Sequence, residues 1–171
     1  YDFEASEQKW QVKWKEWGIF SFDPSRSREE TFIVDPPPPT VSGSLHMGHV
    51  FSYTHADTVA RYKRMRGFNI MYPMGWDDNG LPTERRVQNK FNIRCSPHLA
   101  YDPNWQPKPA VDKAPAEEVS RPNFIEACAL VTREDEEAFE TLWRHLALSV
   151  DWSEQYATID DHCRKISQYS F

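Results

Sequence analysis

Two histidines bracket Met47 and Gly48 in the run Pro36-Pro37-Pro38-Pro39-Thr40-Val41-Ser42-Gly43-Ser44-Leu45-His46-Met47-Gly48-His49, and this spacing is the strongest chemical signal in the chain. His46 and His49, three residues apart, share one face of the first turn of a helix that is expected to open at about Ser44. An apolar strand over residues 31–34 feeds a proline-stiffened, glycine-containing loop, so unpaired backbone N–H groups and the positive end of the helix dipole face the occupant. A nucleotide triphosphate is the natural one. Two imidazoles can donate to one phosphate, and Gly48 removes a side chain where a flat base or a phosphate would come close. The bare four residues have a second reading, a helix whose early histidines cap or pack.

The flanking residues favour the phosphate site. The stretch from Pro37 to His49 resembles the first signature of the class I aminoacyl-tRNA synthetases, in the form that marks their valine branch. Three further blocks resemble that branch in order and approximate spacing. They are Arg61-Tyr62-Lys63-Arg64-Met65-Arg66-Gly67, then Tyr72-Pro73-Met74-Gly75-Trp76-Asp77-Asp78-Asn79-Gly80-Leu81-Pro82-Thr83-Glu84-Arg85-Arg86-Val87-Gln88-Asn89, and finally Leu148-Ser149-Val150-Asp151-Trp152-Ser153. An isoleucine- or leucine-type synthetase fits less well, because Thr40-Val41-Ser42-Gly43 and Arg85-Arg86-Val87-Gln88-Asn89 resemble the valine group better.

The resemblance implies ATP-dependent activation of valine to valyl-adenylate and transfer to tRNA(Val), with Mg2+ bound alongside ATP. In such activation a carboxylate attacks the α-phosphate, and the charge building there must be met by positioned donors. The family pattern implies that His46 and His49 contact the triphosphate and the transition state, and that Gly48 leaves room for adenine. Thr40, where many valine enzymes carry Asn, would offer a hydroxyl near the phosphate. The amino acid's ammonium needs a carboxylate and a carbonyl in a partly dry pocket. Asp77 follows a buried strand and fits, with the carbonyl of Pro38 implied opposite it; taken alone, Asp77 also reads as a turn or capping residue. Pro37, Pro38 and Pro39 would form a stiff apolar wall that measures a branched side chain, or simply a rigid loop. Asp78 and Asn79 depart from the Asp-His-Ala of the commoner valine enzymes, although the run through Glu84 fits a second valine subgroup. Trp152 reads as structural support.

Several elements must position these residues. Trp10, Trp14 and Trp17 fall at i, i+4 and i+7, predicting an amphipathic helix over residues 4–17 that Gly18 ends and that packs as core against the nucleotide-binding fold. A buried strand is expected over 31–34. From 45 to 66, Met47, Phe51, Thr54, Thr58, Tyr62 and Met65 define the stripe expected to face the core. A second strand over 69–74 completes a βαβ unit, whose ligands bind at the carboxyl ends of parallel strands. The loops at 36–44 and 75–81 therefore converge on one crevice. Pro82 suits the first turn of a short helix over 83–91. Six of the 13 prolines lie between Cys95 and Pro122, predicting an extended surface insertion over 95–122. Helices are expected at 123–131 and 134–146, the second capped by Thr132, and at 160–169, capped by Thr158.

The expected fold is therefore α/β: residues 1–30 form an N-terminal helix and loop, and residues 31–171 the first half of a Rossmann-like parallel-sheet domain. Nothing in the chain resembles the family's Lys-Met-Ser-Lys-Ser signature, its editing insertion or its anticodon-binding domain. The reading is the N-terminal part of a catalytic domain, inactive by itself, whether as a truncated piece, a fragment or a shortened paralogue that binds a nucleotide or a protein.

With 171 residues, 39% of them hydrophobic and 14% aromatic, the chain can bury a sizeable core. No stretch approaches ~20 consecutive apolar residues, so no membrane partner is expected. The net charge of −6 argues against a dedicated nucleic-acid module, leaving tRNA to be held mostly by regions outside this chain. Arg61, Lys63, Arg64 and Arg66 cluster where they would complement a helix dipole in water, or else touch RNA. Three widely spaced cysteines suit reduced thiols in the cytoplasm better than a disulfide framework or a metal site.

Overall fold

The computed structural model describes residues 1–41, 45–112 and 114–171. Ser42, Gly43 and Ser44, where the main helix was expected to open, lie outside them.

The first unit is β1 (Thr31–Ile33), α2 (Met47–Met65) and β2 (Asn69–Met71), preceded by helix α1 (Phe3–Trp17). β1 pairs parallel with β2, Thr31 opposite Asn69 and Ile33 opposite Met71. The Val34 N–H extends the ladder to the Met71 carbonyl at 2.8 Å. Beyond β2 the chain stays extended through β3 (Gly75–Trp76), which pairs parallel with β6 (Tyr156–Ala157). The N–H groups of Asp151, Tyr156 and Thr158 donate to the carbonyls of Tyr72, Met74 and Trp76. Residues 69–77 thus run between 31–41 on one side and 151–158 on the other, in the parallel arrangement that a helical crossover requires.

The second unit is α3 (Leu81–Phe91), β4 (Ile93–Ser96) and β5 (Glu117–Ser120), the two strands again parallel. The proline-dense stretch expected to be irregular over 95–122 is therefore tied down at both ends by a ladder. Its prolines all fall outside the ladder, where no N–H is needed. Helix α4 (Arg121–His145) follows, then α5 (Asp161–Tyr169).

α4 is one helix of 25 residues, not the two expected. Thr132 is buried within it instead of capping a second helix, and Ser120 caps its start by accepting from the Asn123 N–H. The single rod bridges two cores. Phe124, Ala127 and Val131 join Val87, Phe91, Ile93 and Val119, while Phe139 and Trp143 join Tyr53, Ile70, Tyr72, Met74 and Trp76. Asp160, not Thr158, caps α5.

The stripe expected to be buried on α2 is the exposed one. Met47, Phe51, Tyr62 and Met65 are 75%, 64%, 54% and 86% exposed, whereas Tyr53, Asp57 and Ala60 are buried. A hydrophobic count misses that face because its anchors are polar groups with partners. Asp57 accepts from the N–H and hydroxyl of Ser149 at 2.6 Å each and from Arg61 Nε at 2.6 Å. Three of the four basic residues are likewise spent inside the protein, while Arg66 stays exposed. Arg61 donates to the Ala147 carbonyl, Arg64 donates to the Ser149 carbonyl and stacks on Phe20, and Lys63 sits over Phe32.

Helix α1 buries none of its residues. Trp10 and Trp17 remain exposed and pack on each other at 6.2 Å, while the half-buried Trp14 meets Phe20 beside a cavity of about 410 Å3 that reaches Leu148 and Trp152. The expected core stripe is thus a rim. β1 is only half-buried, with Ile33 exposed.

Candidate functional site

Helix α2 begins at Met47, and His46 is its N-cap. The His46 Nδ1 accepts the Gly48 N–H at 3.1 Å, and the His49 Nδ1 accepts the His46 N–H at 3.4 Å. This is a capping box written in imidazole: each ring satisfies one of the orphan donors of the first turn. A ring whose Nδ1 accepts must carry its neutral-state proton on Nε2. Both rings are therefore held as Nε2–H donors, tilted by 31° to each other with centroids 3.9 Å apart. Burial, reinforced by neighbouring His46, lowers the His49 pKa, which favours the neutral donor over the cation. The edge of His49 packs on Phe139 of α4 at 5.4 Å.

Capping and donation thus coexist, and the space at Gly48 is already in use. A Cβ there would lie 2.9 Å from the His46 ring, so in this conformation the glycine makes room for the cap itself.

The proline loop is held from two directions. Tyr53, one turn beyond His49 on α2, donates its hydroxyl to the Pro37 carbonyl at 2.5 Å. On the other side the Asp77 N–H donates to the Pro39 carbonyl at 2.9 Å, and the Val41 N–H to the Asp77 carbonyl at 3.3 Å. Thr40 Oγ1 donates to Asp77 Oδ2 at 3.0 Å. The Thr40 hydroxyl expected near a phosphate is thus spent on the carboxylate expected to take the ammonium, and the carbonyl bonded to the Asp77 backbone is that of Pro39, one residue past the expected Pro38. Pro39 is buried, Pro38 half-buried and Pro37 exposed. His46, His49, Thr40 and Asp77 all belong to segments leaving the carboxyl ends of β1 and β3, the edge where open α/β sheets take ligands.

Four contributors were not anticipated. Tyr53 and Phe139 support the loop and a histidine; Tyr53 lies at i+4 from His49, and that spacing alone could have found it. Tyr156 covers Gly75, where a Cβ would come within 2.3 Å of its ring. Glu136 of α4 acts on Asp78 where Phe139 of the same helix meets Trp76, and no sequence spacing points to that pair.

The family model for class I tRNA synthetases (I, L, M and V) matches residues 9–103. The chain belongs to this family. Among curated class I relatives, it is 59% identical over 168 residues to the valine–tRNA ligase of Thermobifida fusca (strain YX), covering 98% of this chain and 19% of that one. It is 58% identical to the valine–tRNA ligase of Salinispora arenicola (strain CNS-205), with the same coverage. The valine–tRNA ligase of Cutibacterium acnes is 52% identical over 170 residues, 98% of this chain and 20% of its own. The chain thus spans about a fifth of the length of these relatives. Among solved class I structures, the agnB2 LeuRS of Agrobacterium radiobacter K84, in a ternary complex with tRNA and LeuAMS, aligns with TM-score 0.72 and 28% identity over 99% of this chain and 18% of its own. The parallel α/β architecture is therefore that of a class I catalytic region. No helix among the described residues is long and apolar enough to cross a membrane.

Proposed function

We propose that this chain is part of a valine–tRNA ligase, the N-terminal half of its catalytic domain, and that it binds ATP and valine for adenylate formation. The observation that carries the reading is the Thr40–Asp77 tie, which holds the proline loop and the β3 carboxylate together at the sheet edge from which α2 departs.

In this reading the Nε2–H groups of His46 and His49, with the α2 dipole behind them, meet the negative charge that builds on the α-phosphate when the valine carboxylate attacks. ATP occupies the α2 N-terminus around Thr40, His46, Gly48 and His49. Asp77 takes the ammonium, pre-oriented by Thr40, and Pro37 and Pro38 line the side-chain wall. Mg2+ enters with ATP, where it neutralises phosphate charge. In this reading the ion is carried by the phosphates. Transfer to tRNA(Val) relies on the remaining length of the intact protein. Three free cysteines accord with a reducing cytoplasm.

The test is amino-acid-dependent ATP–pyrophosphate exchange by the intact protein. Exchange should depend on valine and exceed that with isoleucine or leucine. Asp77→Asn should weaken valine binding by about 2 to 3 kcal/mol, the scale of a hydrogen bond to a charged group, while ATP binding changes little. Equal weakening of both ligands would make Asp77 a structural residue.

A further inference from the structure

We propose that Asp78 and Glu136 share one proton, and that this carboxyl–carboxylate bridge fixes the segment bearing Asp77 against α4, making the two acids positioning residues for the amino-acid site. The positioning half rests on the function proposed for Asp77; the shared proton does not.

Asp78 is 5% exposed, and its main chain is pinned on both sides. Its N–H donates to Thr158 Oγ1 at 3.1 Å, and its carbonyl accepts from Thr83 Oγ1 at 3.4 Å. Its side chain has no such support, because both carboxylate oxygens are buried and no described residue donates to either. A buried carboxylate left without a donor is unfavourable, and structures rarely keep one.

The acid that acts on it is Glu136, half-buried on α4 one turn before Phe139, whose ring meets that of Trp76, two residues before Asp78, at 6.5 Å. Two carboxylates have no hydrogen between them and repel; one proton turns the same contact into a donor–acceptor pair. Among the described residues no cation acts on Asp78. Asp77 on the same segment and Glu137 on α4 add negative charge, and Arg133 on α4 is the cation that acts on Glu136. On α3, Arg86 Nη2 is engaged by Asp135 at 2.5 Å while its buried Nε has no partner among the described residues, and the hydroxyls of Thr83 and Thr158 are spent on the Asp78 main chain. Burial raises the pKa of both acids, that of Glu136 to about 7, in keeping with a proton retained near neutrality.

Asp78 follows Asp77 directly, so the bridge sets the carboxyl end of β3 against α4, whose Phe139 also supports His49. When the proton leaves, the pair repels and the Asp77 segment loses its anchor.

Two measurements test this. Infrared difference spectra of the 171-residue chain should show a protonated-carboxyl stretch at about pH 6 that fades through about pH 7 to 8. The stretch should be missing from Glu136→Gln and from Asp78→Asn, in which an amide donor replaces the shared proton. No such stretch at about pH 6, or one that persists in both variants, overturns the bridge. In the intact protein, the KM for valine in pyrophosphate exchange should rise several-fold over the same range with kcat little changed. Glu136→Gln should flatten that rise and Glu136→Ala should raise KM at every pH; a slope retained in Glu136→Gln overturns the positioning role. A protein with no valine-dependent exchange at any pH would instead refute the assigned function, leaving the infrared result to judge the bridge alone.

Discussion

The Tyr53 hydroxyl reaches from the buried face of α2 to the Pro37 carbonyl at 2.5 Å, so the helix proposed to open the nucleotide site also anchors the loop in front of it. Burial pushes the Tyr53 pKa up, which keeps its proton on the oxygen and its role that of a donor. Tyr53→Phe keeps the ring, which stacks on Trp143 at 4.8 Å, and removes only this bond. The variant should lose about 1 kcal/mol of stability, measured by urea denaturation. A larger loss would mean that the ring packing had changed too.

His46 caps α2, and one substitution can separate that role from the phosphate contact proposed for it. Asn is a good N-cap whose side-chain oxygen can accept the Gly48 N–H, but it carries no Nε2–H for a phosphate. His46→Asn should therefore keep thermal stability within about 0.5 kcal/mol. In the intact protein it should slow valine-dependent exchange by about 10² to 10³, the scale for losing a transition-state donor. His46→Ala should lose both. Rates that held in His46→Asn would reduce the histidine to a cap.

Ala147 occupies a position built for glycine. At the end of α4 its φ is +53°, and the N–H groups of Ala147 and Leu148 donate back to the Arg144 and Trp143 carbonyls, the pattern of a Schellman motif. Only the Cβ is out of place there. Ala147→Gly should stabilise the chain by about 0.5 to 1 kcal/mol, part of the strain relief being offset by the freer unfolded state. Unchanged stability on chemical denaturation would show that the surrounding packing already absorbs the strain.

Stability should respond to pH in two opposing ways. Glu136, raised from 4.5 to about 7, binds its proton more tightly folded than unfolded. Its contribution is complete below 4.5 and is lost as pH climbs through about 7. His49 is lowered from 6.5, so the unfolded state binds more protons there and stability rises with pH up to that value. Denaturation midpoints of Glu136→Gln across this range should keep only the rising slope. A falling slope that survives the substitution would trace to another group.

Much of this arrangement was readable from residue spacing. The Pro-Thr-Val loop, the glycine stop at Gly18 and the turn into Pro82 depend on local backbone preferences, and they announced β1, α1 and α3 within a few residues. What stayed hidden depends on partners far along the chain. The buried face of α2 is set by Asp57 meeting Ser149, 92 positions away, and a polar anchor of that kind inverts an apolar stripe count. Thr132 resembles a cap, yet tertiary packing carried the helix straight through it. The proline-rich stretch looked irregular because its ladder, Ile93 opposite Glu117, closes only in space. At the candidate site the histidine spacing foretold shared ring geometry, whereas the Asp78–Glu136 contact has no local signature at all.

The placement of residues 69–77 between a segment already made and one still to come sets an order of events during synthesis. The partners on the 31–41 side precede this strand, but Tyr156 and Thr158 lie about eighty positions downstream, as the 79-residue reach from Trp76 to Gln155 illustrates. A nascent chain that has passed Asp77 can pair only one edge of it. The other edge, and the ring of Tyr156 over Gly75, must wait for several seconds of further elongation at about 5 to 20 residues per second. Closing such distant pairs is slow even in a finished chain, since non-local contacts dominate the barrier. The half-paired strand is therefore the vulnerable species of biogenesis, and whatever shields it in that interval, ribosome or chaperone, guards the carboxylate proposed to hold the amino acid.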